Sequence, residues 1–329
     1  MFNILFSAEG EMRSLLSTAD GAKTATMSRH TRKLKKSAQL YLLVSVPLLF
    51  IVIFHYIPMY GAQIAFKNYR LTSGILGSPW VGFRHFSRFF HSYEFGRVMW
   101  NTLGLSIYSL LAGFPFPIIL ALSLNNVTTR SFKKSVQMIT YAPHFISTVV
   151  MVGIILQFLA PRTGLVNNLI VAIGGPRTNF MAAPIYFKSI YVWSGVWQNI
   201  GFGSIIYLAV LSSIDPMLHE AAIVDGATRL QRIRHIDIPG ILPTAVIILI
   251  LNTGHILSVG FEKVLLLQTP LNLSASEVIS TYVYKIGLAS ELPNYSYSSA
   301  IGLFQSVVGM ILLVLVNNAA KRLGQSSLW

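Results

Sequence analysis

Six apolar stretches set the first limit on what this chain can fold into: Leu40–Tyr60, Met99–Leu124, Val136–Ala160, Ser189–Leu211, Ile241–Gly260 and Ala300–Val316. A helix needs about 20 predominantly apolar residues to cross the hydrocarbon core of a bilayer. None of the six contains Asp or Glu, and only 11% of the 329 residues are charged, against about 25% in soluble domains. The expected fold class is therefore an all-α integral membrane protein with six transmembrane helices. Prolines inside these stretches (Pro47, Pro115, Pro117, Pro143) are compatible with spanning, because neighbouring helices can re-satisfy the freed backbone groups. With no cysteine in the chain, disulfides and thiolate metal sites are excluded.

The net charge of +14 would suggest nucleic acid in a soluble protein. Here basic residues flanking spans set orientation and meet anionic headgroups, so the expected partner is membrane lipid and not nucleic acid. The first forty residues are polar and end in the basic run Arg29–Lys36, while Phe2–Phe6 is too short for the apolar core of a secretion signal. The first span is thus expected to be a retained anchor. Placing both termini in the cytoplasm puts most of the 25 Lys and Arg residues there. The expected partition is a basic cytoplasmic segment at 1–38, a first span and outer loop at 39–98, and a five-span core at 99–329. Within that outer loop, Phe83, Phe86, Phe89 and Phe90 recur at helical spacing between basic residues. They form an amphipathic helix, either at the interface or packed on neighbouring spans.

A polar segment, Asp215 to Pro243, interrupts the apolar pattern and holds three of the four aspartates. Asp215-Pro216 is a helix start, a capping carboxylate followed by a proline at the first helical position. Gly226 is the expected left-handed C-cap. Thr228 and Gln231 have capping-box spacing for a second short helix, which Pro239 is expected to stop. Such a pair is compatible with a DNA-reading helix-turn-helix, a connector lying on the membrane, or a protein-docking element. Tethering to spans on both sides, and carboxylates that would face phosphate, weigh against the first.

Glu220-Ala221-Ala222, three residues, Gly226, nine residues, Ile236, one residue, then Ile238-Pro239 resembles the EAA signature of the permease subunits of type I ABC importers. Ile238 stands where that signature has leucine. Asn101-Thr102-Leu103 also looks like the start of the family's transport core, so the resemblance extends over residues 80–329. The leading span and Gly-Phe-rich outer loop are similar to the carbohydrate-uptake branch, with the polysaccharide and lipoprotein-type permeases, alginate-oligosaccharide importer subunits among them, most alike. The resemblance implies that segment 215–239 is a cytoplasmic coupling helix seated on an ATPase subunit. Glu220, Ala221, Ala222, Asp225, Gly226, Ile238 and Pro239 would carry that docking. It further implies a second homologous permease as heterodimer partner, two ATP-binding subunits and a periplasmic or extracellular solute-binding protein. The setting would be the inner membrane of a bacterium. This chain would hold no cofactor or metal of its own; ATP and Mg would sit in the partner ATPases.

The sequence carries no P-loop, no Gly-Lys pair, no HExxH and no G-x-S-x-G, so no catalytic residue is expected. An ion-coupled carrier acting alone would need mid-membrane carboxylates, which are missing from the six stretches. An ABC importer of some other polar solute is the nearer alternative. A sugar path wants aromatic faces and hydrogen-bonding edges. Trp193, Trp197, Gln198 and Asn199, with Asn252 and His255, have that character, although tryptophans near span ends also serve as interfacial anchors. The span histidines His55 and His144, like His255, are expected to be packing residues. Phe261-Glu262-Lys263 faces either the lumen or the surface. Arg84, Arg88, Arg97 and Arg177 form a cationic outer face suited to an acidic oligosaccharide or to docking the binding protein.

Overall fold

The computed structural model describes residues 37–322 together with Gly324 and Ser327, so the basic run Arg29–Lys36 lies outside the described residues. The described residues are helical apart from turns and one isolated bridge between Lys67 and Trp80. Five helices are long and apolar enough to span a membrane, or six if one bent pair counts as a single span. The chain divides into two compact units, 1–62 and 63–329.

In the first unit, α1 (Ala38–Ile51) is apolar all round and buries none of its residues, the pattern of a helix whose solvent is lipid. It continues through a wide turn, Val52–Tyr56, in which the Ile57 N–H bonds to Val52 O five residues back. Pro58 follows at once.

After a 3-10 turn ending at Phe66 and one helical turn, Gly74–Gly77, the second unit has a short helix, α2 (Arg84–Phe90), and a long broken one, α3 (Tyr93–Gly113) and α4 (Pro115–Asn125). Then come α5 (Arg130–Tyr141), α6 (Thr148–Phe158) and α7 (Pro184–Ser213). The remainder is α8 (Pro216–Val224), α9 (Arg229–Arg232), α10 (Ile238–Gly254), α11 (Phe261–Leu267), α12 (Ile279–Gly287) and α13 (Tyr295–Arg322). Three apolar clusters hold these together. Leu105, Met151, Phe187 and Val264 join α3, α6, α7 and α11. Phe89, Val98, Tyr282 and Ile301 join α2, α3, α12 and α13. Ala121, Tyr207, Leu211 and Ile241 join α4, α7 and α10. The close crossing of α5 and α7 requires glycine, since a Cβ on Gly201 would overlap the Thr140 carbonyl.

Two expectations need correction. The stretch Val136–Ala160 is not one straight helix: Arg130–Phe145 and Thr148–Phe158 meet at 101°. Pro143 sits in a tight 3-10 turn, Ala142–Phe145, and Ser147 then starts a new helix by accepting from the Val150 N–H. Nor does Pro239 stop the second short helix of the polar segment, which runs on from Arg229 to Gly254 as one rod. The turn Ile233–Asp237 is widened, with the Ile238 N–H bonded to Ile233 O. That extra residue moves away the carbonyl the proline ring would otherwise strike.

The amphipathic segment packs on protein through part of its aromatic stripe. Phe89 is buried against Phe95, Tyr282, Tyr297 and Phe304, and Phe86 meets Phe66. Phe83 and Phe90 stay exposed. His85 is buried, its Nε2 3.1 Å from Lys67 O, and burial lowers its pKa below the ordinary histidine value.

Polar groups fix the start of α3. Asn101 Nδ2 donates to Ser274 O at 2.8 Å and to Glu277 O at 3.2 Å, while Thr102 Oγ1 accepts from the Ile279 N–H at 2.9 Å. Beside them the buried Glu277 carboxylate pairs with Arg97 and, at 3.4 Å, with Lys285. Lys285 is 62% exposed and Arg97 only 33%. An exposed pair contributes roughly 0–1 kcal/mol, whereas unpairing a buried charge costs roughly 3–5 kcal/mol. Arg97→Met is therefore expected to lower the thermal midpoint of the purified protein in detergent well beyond the effect of Lys285→Met. Equal shifts would refute this ranking.

Candidate functional site

The segment 215–239 is built as two helices around a glycine bend. Asp215 Oδ1 accepts from the Met217 N–H at 2.9 Å and Pro216 opens α8. At its other end the Ala227 N–H bonds to Ala222 O at 2.8 Å and the Gly226 N–H to Ile223 O at 3.0 Å. That pairing, with Gly226 at φ +78°, is the Schellman termination. Thr228 and Gln231 then cap α9 reciprocally, the Thr228 N–H donating to Gln231 Oε1 at 2.7 Å.

Most of this element is exposed. Glu220, Ala221, Asp225, Gly226, Ile238 and Pro239 all lie at the surface, and Ala222 is half-buried. Met217, Leu218, Ile223, Val224 and Leu230 are exposed large apolar side chains, Val224 at 87%. A small-residue surface flanked by unburied aliphatic groups is suited to close packing against another protein.

An ionic contact joins α8 to the rod that follows it, and sequence reasoning missed it. His219 Nε2 lies 3.3 Å from the buried Asp237 carboxylate. Asp237 was legible only as one of the three aspartates of the segment; it is the buried residue of the wide turn Ile233–Asp237.

The polar residues proposed for a sugar path surround three adjoining cavities that share Gly113. Asn252 and His255 line one of about 320 Å³, together with Ser106, Ser109 and Tyr191. Gln198, Asn199 and Lys263 line the second, about 280 Å³. Asn199 and Asn252 both reach the third, about 550 Å³ and mostly apolar. His144 stacks on Phe202 at 3.9 Å, and its Nδ1 lies 3.0 Å from Asn199 Oδ1, so it is a packed residue that orients a cavity asparagine. Trp193 and Trp197 line none of these three cavities. Trp193 donates from Nε1 to Tyr108 Oη at 2.8 Å and meets Phe116 edge-on, and Trp197 is 52% exposed. The cavity residue that sequence left undecided is Lys263. Among the described residues no group of three or more His, Cys, Asp or Glu side chains has metal-holding geometry.

Residues 113–325 match the family model described as binding-protein-dependent transport system inner membrane component. The chain is 42% identical over 297 residues to the polygalacturonan/rhamnogalacturonan transport system permease protein YteP of Bacillus subtilis, covering 90% of this chain and 92% of that protein. It is 42% identical over 296 residues to Protein LplB of Bacillus subtilis, with the same coverage of 90% and 92%. A chain in the crystal structure of a bacterial ABC transporter involved in the import of the acidic polysaccharide alginate superposes with a TM-score of 0.82. The two share 43% identity, over 89% of this chain and 99% of that one.

The His219–Asp237 contact yields a local prediction. His219→Leu removes the imidazole that faces the buried carboxylate, which keeps Asn126 and Arg232 nearby, a loss of roughly 1 kcal/mol. Amides of 217–224 should then exchange with deuterium about fivefold faster, while those of α7 keep their protection. Unchanged exchange in 217–224 would show that the contact does not hold α8.

Proposed function

The chain belongs to the family of binding-protein-dependent transport system inner membrane components, and on that premise we propose that it is the powered gate for an acidic oligosaccharide in a bacterial inner membrane. It is a permease of the carbohydrate ABC-importer kind, not an ATPase. In the proposed arrangement six spans cross the membrane, the bent pair counting as one, with both termini cytoplasmic. Residues 1–38 form the basic cytoplasmic segment, 39–98 the first span and outer loop, and 99–329 the transport core.

The observation that carries the mechanism is the exposed, capped, glycine-bent element 215–239. Its small residues and free aliphatic side chains would seat in a groove of one of two cytoplasmic ATP-binding subunits, which hold ATP and Mg. Closure of those subunits would push on α8 and, through the His219–Asp237 contact, on the rod Arg229–Gly254. The far end of that rod carries Asn252, a cavity residue. Rigid-body rocking against a second, homologous permease would then alternate the cavity between the two sides. A solute-binding protein would deliver the cargo, as a periplasmic protein bound to alginate pentasaccharide accompanies the alginate transporter.

Two relatives support an acidic cargo: one importer carries alginate and the other is named for polygalacturonan, a polymer of uronic acid. On this chain Arg84 and Arg88 border a cavity of about 460 Å³ with His85 and Asn294. Neither is in an ion pair among the described residues, though Arg88 lies over the Tyr297 ring at 4.7 Å. Arg97 is engaged by Glu277, and Arg177 donates to Pro161 O and Arg162 O.

Glu220→Lys or Gly226→Pro is expected to abolish uptake and substrate-stimulated ATP hydrolysis in the reconstituted importer, with membrane insertion intact. Normal uptake by either variant would sink the docking assignment. Replacing Arg84 and Arg88 together with Gln is expected to cut uptake several-fold at low ionic strength and less in high salt. A salt-independent or absent effect would remove the steering role.

A further inference from the structure

The second cavity contains a cation without a counter-charge. Lys263, on α11, is 8% exposed. Its Nζ donates to Tyr191 O at 3.0 Å and lies 4.8 Å from the centre of the Tyr191 ring. Among the described residues no carboxylate is within ion-pair distance of it, the acidic partners there being Glu277 for Arg97 and Lys285, and Asp237 for His219. An ammonium carries three donors, and one carbonyl uses one of them. Burying a charge without a partner is costly, so its retention beside a cavity asks for a ligand that completes it.

The cavity wall gives a second, independent sign. The side-chain oxygens of Ser106 and Ser109 are buried, and among the described residues neither has a hydrogen-bond partner. Ser109 lines the same cavity as Lys263, with Tyr191, Gln198 and Asn199. Ser109 and Ser106 also line the adjoining cavity that holds Asn252 and His255. One cation without a counter-charge and two hydroxyls without a hydrogen-bond partner around adjoining cavities describe a site for a polyhydroxylated anion.

We propose that Lys263 binds the carboxylate of a uronic acid unit during its passage, with Ser109 and Ser106 taking neighbouring sugar hydroxyls. Lys263 thereby selects acidic over neutral oligosaccharide inside the membrane part of the importer. This rests on the acidic-cargo reading above. Tyr191 acts as a positioning residue: its carbonyl and ring hold the ammonium, and its Oη accepts the Gly260 N–H at 3.2 Å, fixing the entry to α11. A bland alternative is a lysine retained for packing alone, and the two differ in what charge does.

The test uses the complete importer in proteoliposomes, with the binding protein loaded with an alginate or oligogalacturonate pentasaccharide or its carboxyl-reduced, neutral counterpart. Lys263→Gln should lower uptake of the uronate about tenfold or more, as expected for one lost charge-assisted hydrogen bond, and spare the neutral sugar. Lys263→Arg should recover most of the uronate uptake. Equal loss for both sugars, or no recovery with arginine, assigns Lys263 to packing and overturns the proposal. A second measurement needs no variant. In the wild-type importer stalled during turnover with vanadate, a water-soluble carbodiimide should join the uronate carboxyl to the Lys263 amine as an amide, found by peptide mass. Adducts on other lysines and none on Lys263 overturn the assignment. If the wild type carries the neutral sugar and not the uronate, the acidic-cargo reading itself fails. If it carries the uronate and Lys263→Gln carries it equally well, only the Lys263 assignment fails.

Discussion

A backbone N–H or C=O left without a partner is costly in a protein interior or in hydrocarbon, and the irregular points of this chain are arranged around that constraint. Proline removes a donor and strikes a carbonyl one turn back. In two places a widened turn precedes the proline: Val52–Tyr56 before Pro58, and Ile233–Asp237 before Pro239. In a third the chain turns a corner instead, at Pro143, and Ser147 starts the next helix with its own side chain. The first two solutions keep an axis running; the third redirects it. The two adjacent helices at 101° and the uninterrupted rod that bears Asp237 are thus different answers to one shortage of hydrogen bonds.

Where polar side chains are buried in the second unit, several work as staples between distant parts of the chain. Asn101 and Thr102 bind backbone groups of 274–279, and Glu277 in the same stretch receives Arg97. Gln198 donates to Ile146 O at 2.9 Å, tying α7 to the corner between α5 and α6. Each bond satisfies a group that apolar surroundings would otherwise penalise, so these side chains specify where the chain meets itself rather than merely that it collapses. Against them, among the described residues the Ser106 and Ser109 hydroxyls lack a hydrogen-bond partner and Lys263 lacks a carboxylate to balance its charge.

Much of this was legible in the residues. Apolar run length located the helices, and Asp215-Pro216, Gly226 and Thr228–Gln231 announced their cap geometry because capping is local chemistry set by a few side chains. Pro239 misled for the opposite reason: whether a proline ends a helix depends on the turn preceding it, which no propensity records. The corner at Pro143 and the burial of Asp237 are tertiary outcomes of the same kind. The cavity was half legible. Asn199, Asn252 and His255 do gather around connected space, whereas the tryptophans, chosen for their aromatic faces, sit outside it. Lys263 was left open between lumen and surface, because a lysine next to a glutamate fits either until α11 folds it against Tyr191.

The unbroken helix from Arg229 to Gly254 can also be considered as a lever. At about 1.5 Å of rise per residue, Arg229 and Asn252 are separated by on the order of 35 Å of stiff helix. A tilt of about 10° around one end would carry the other through about 6 Å, the width of a sugar ring. Had Pro239 broken the rod, the same push would have been absorbed at the joint. The wide turn that rescues the helix also preserves its leverage, so in the proposed mechanism a small push from a docked subunit would reach the cavity as a displacement of the size of a sugar unit.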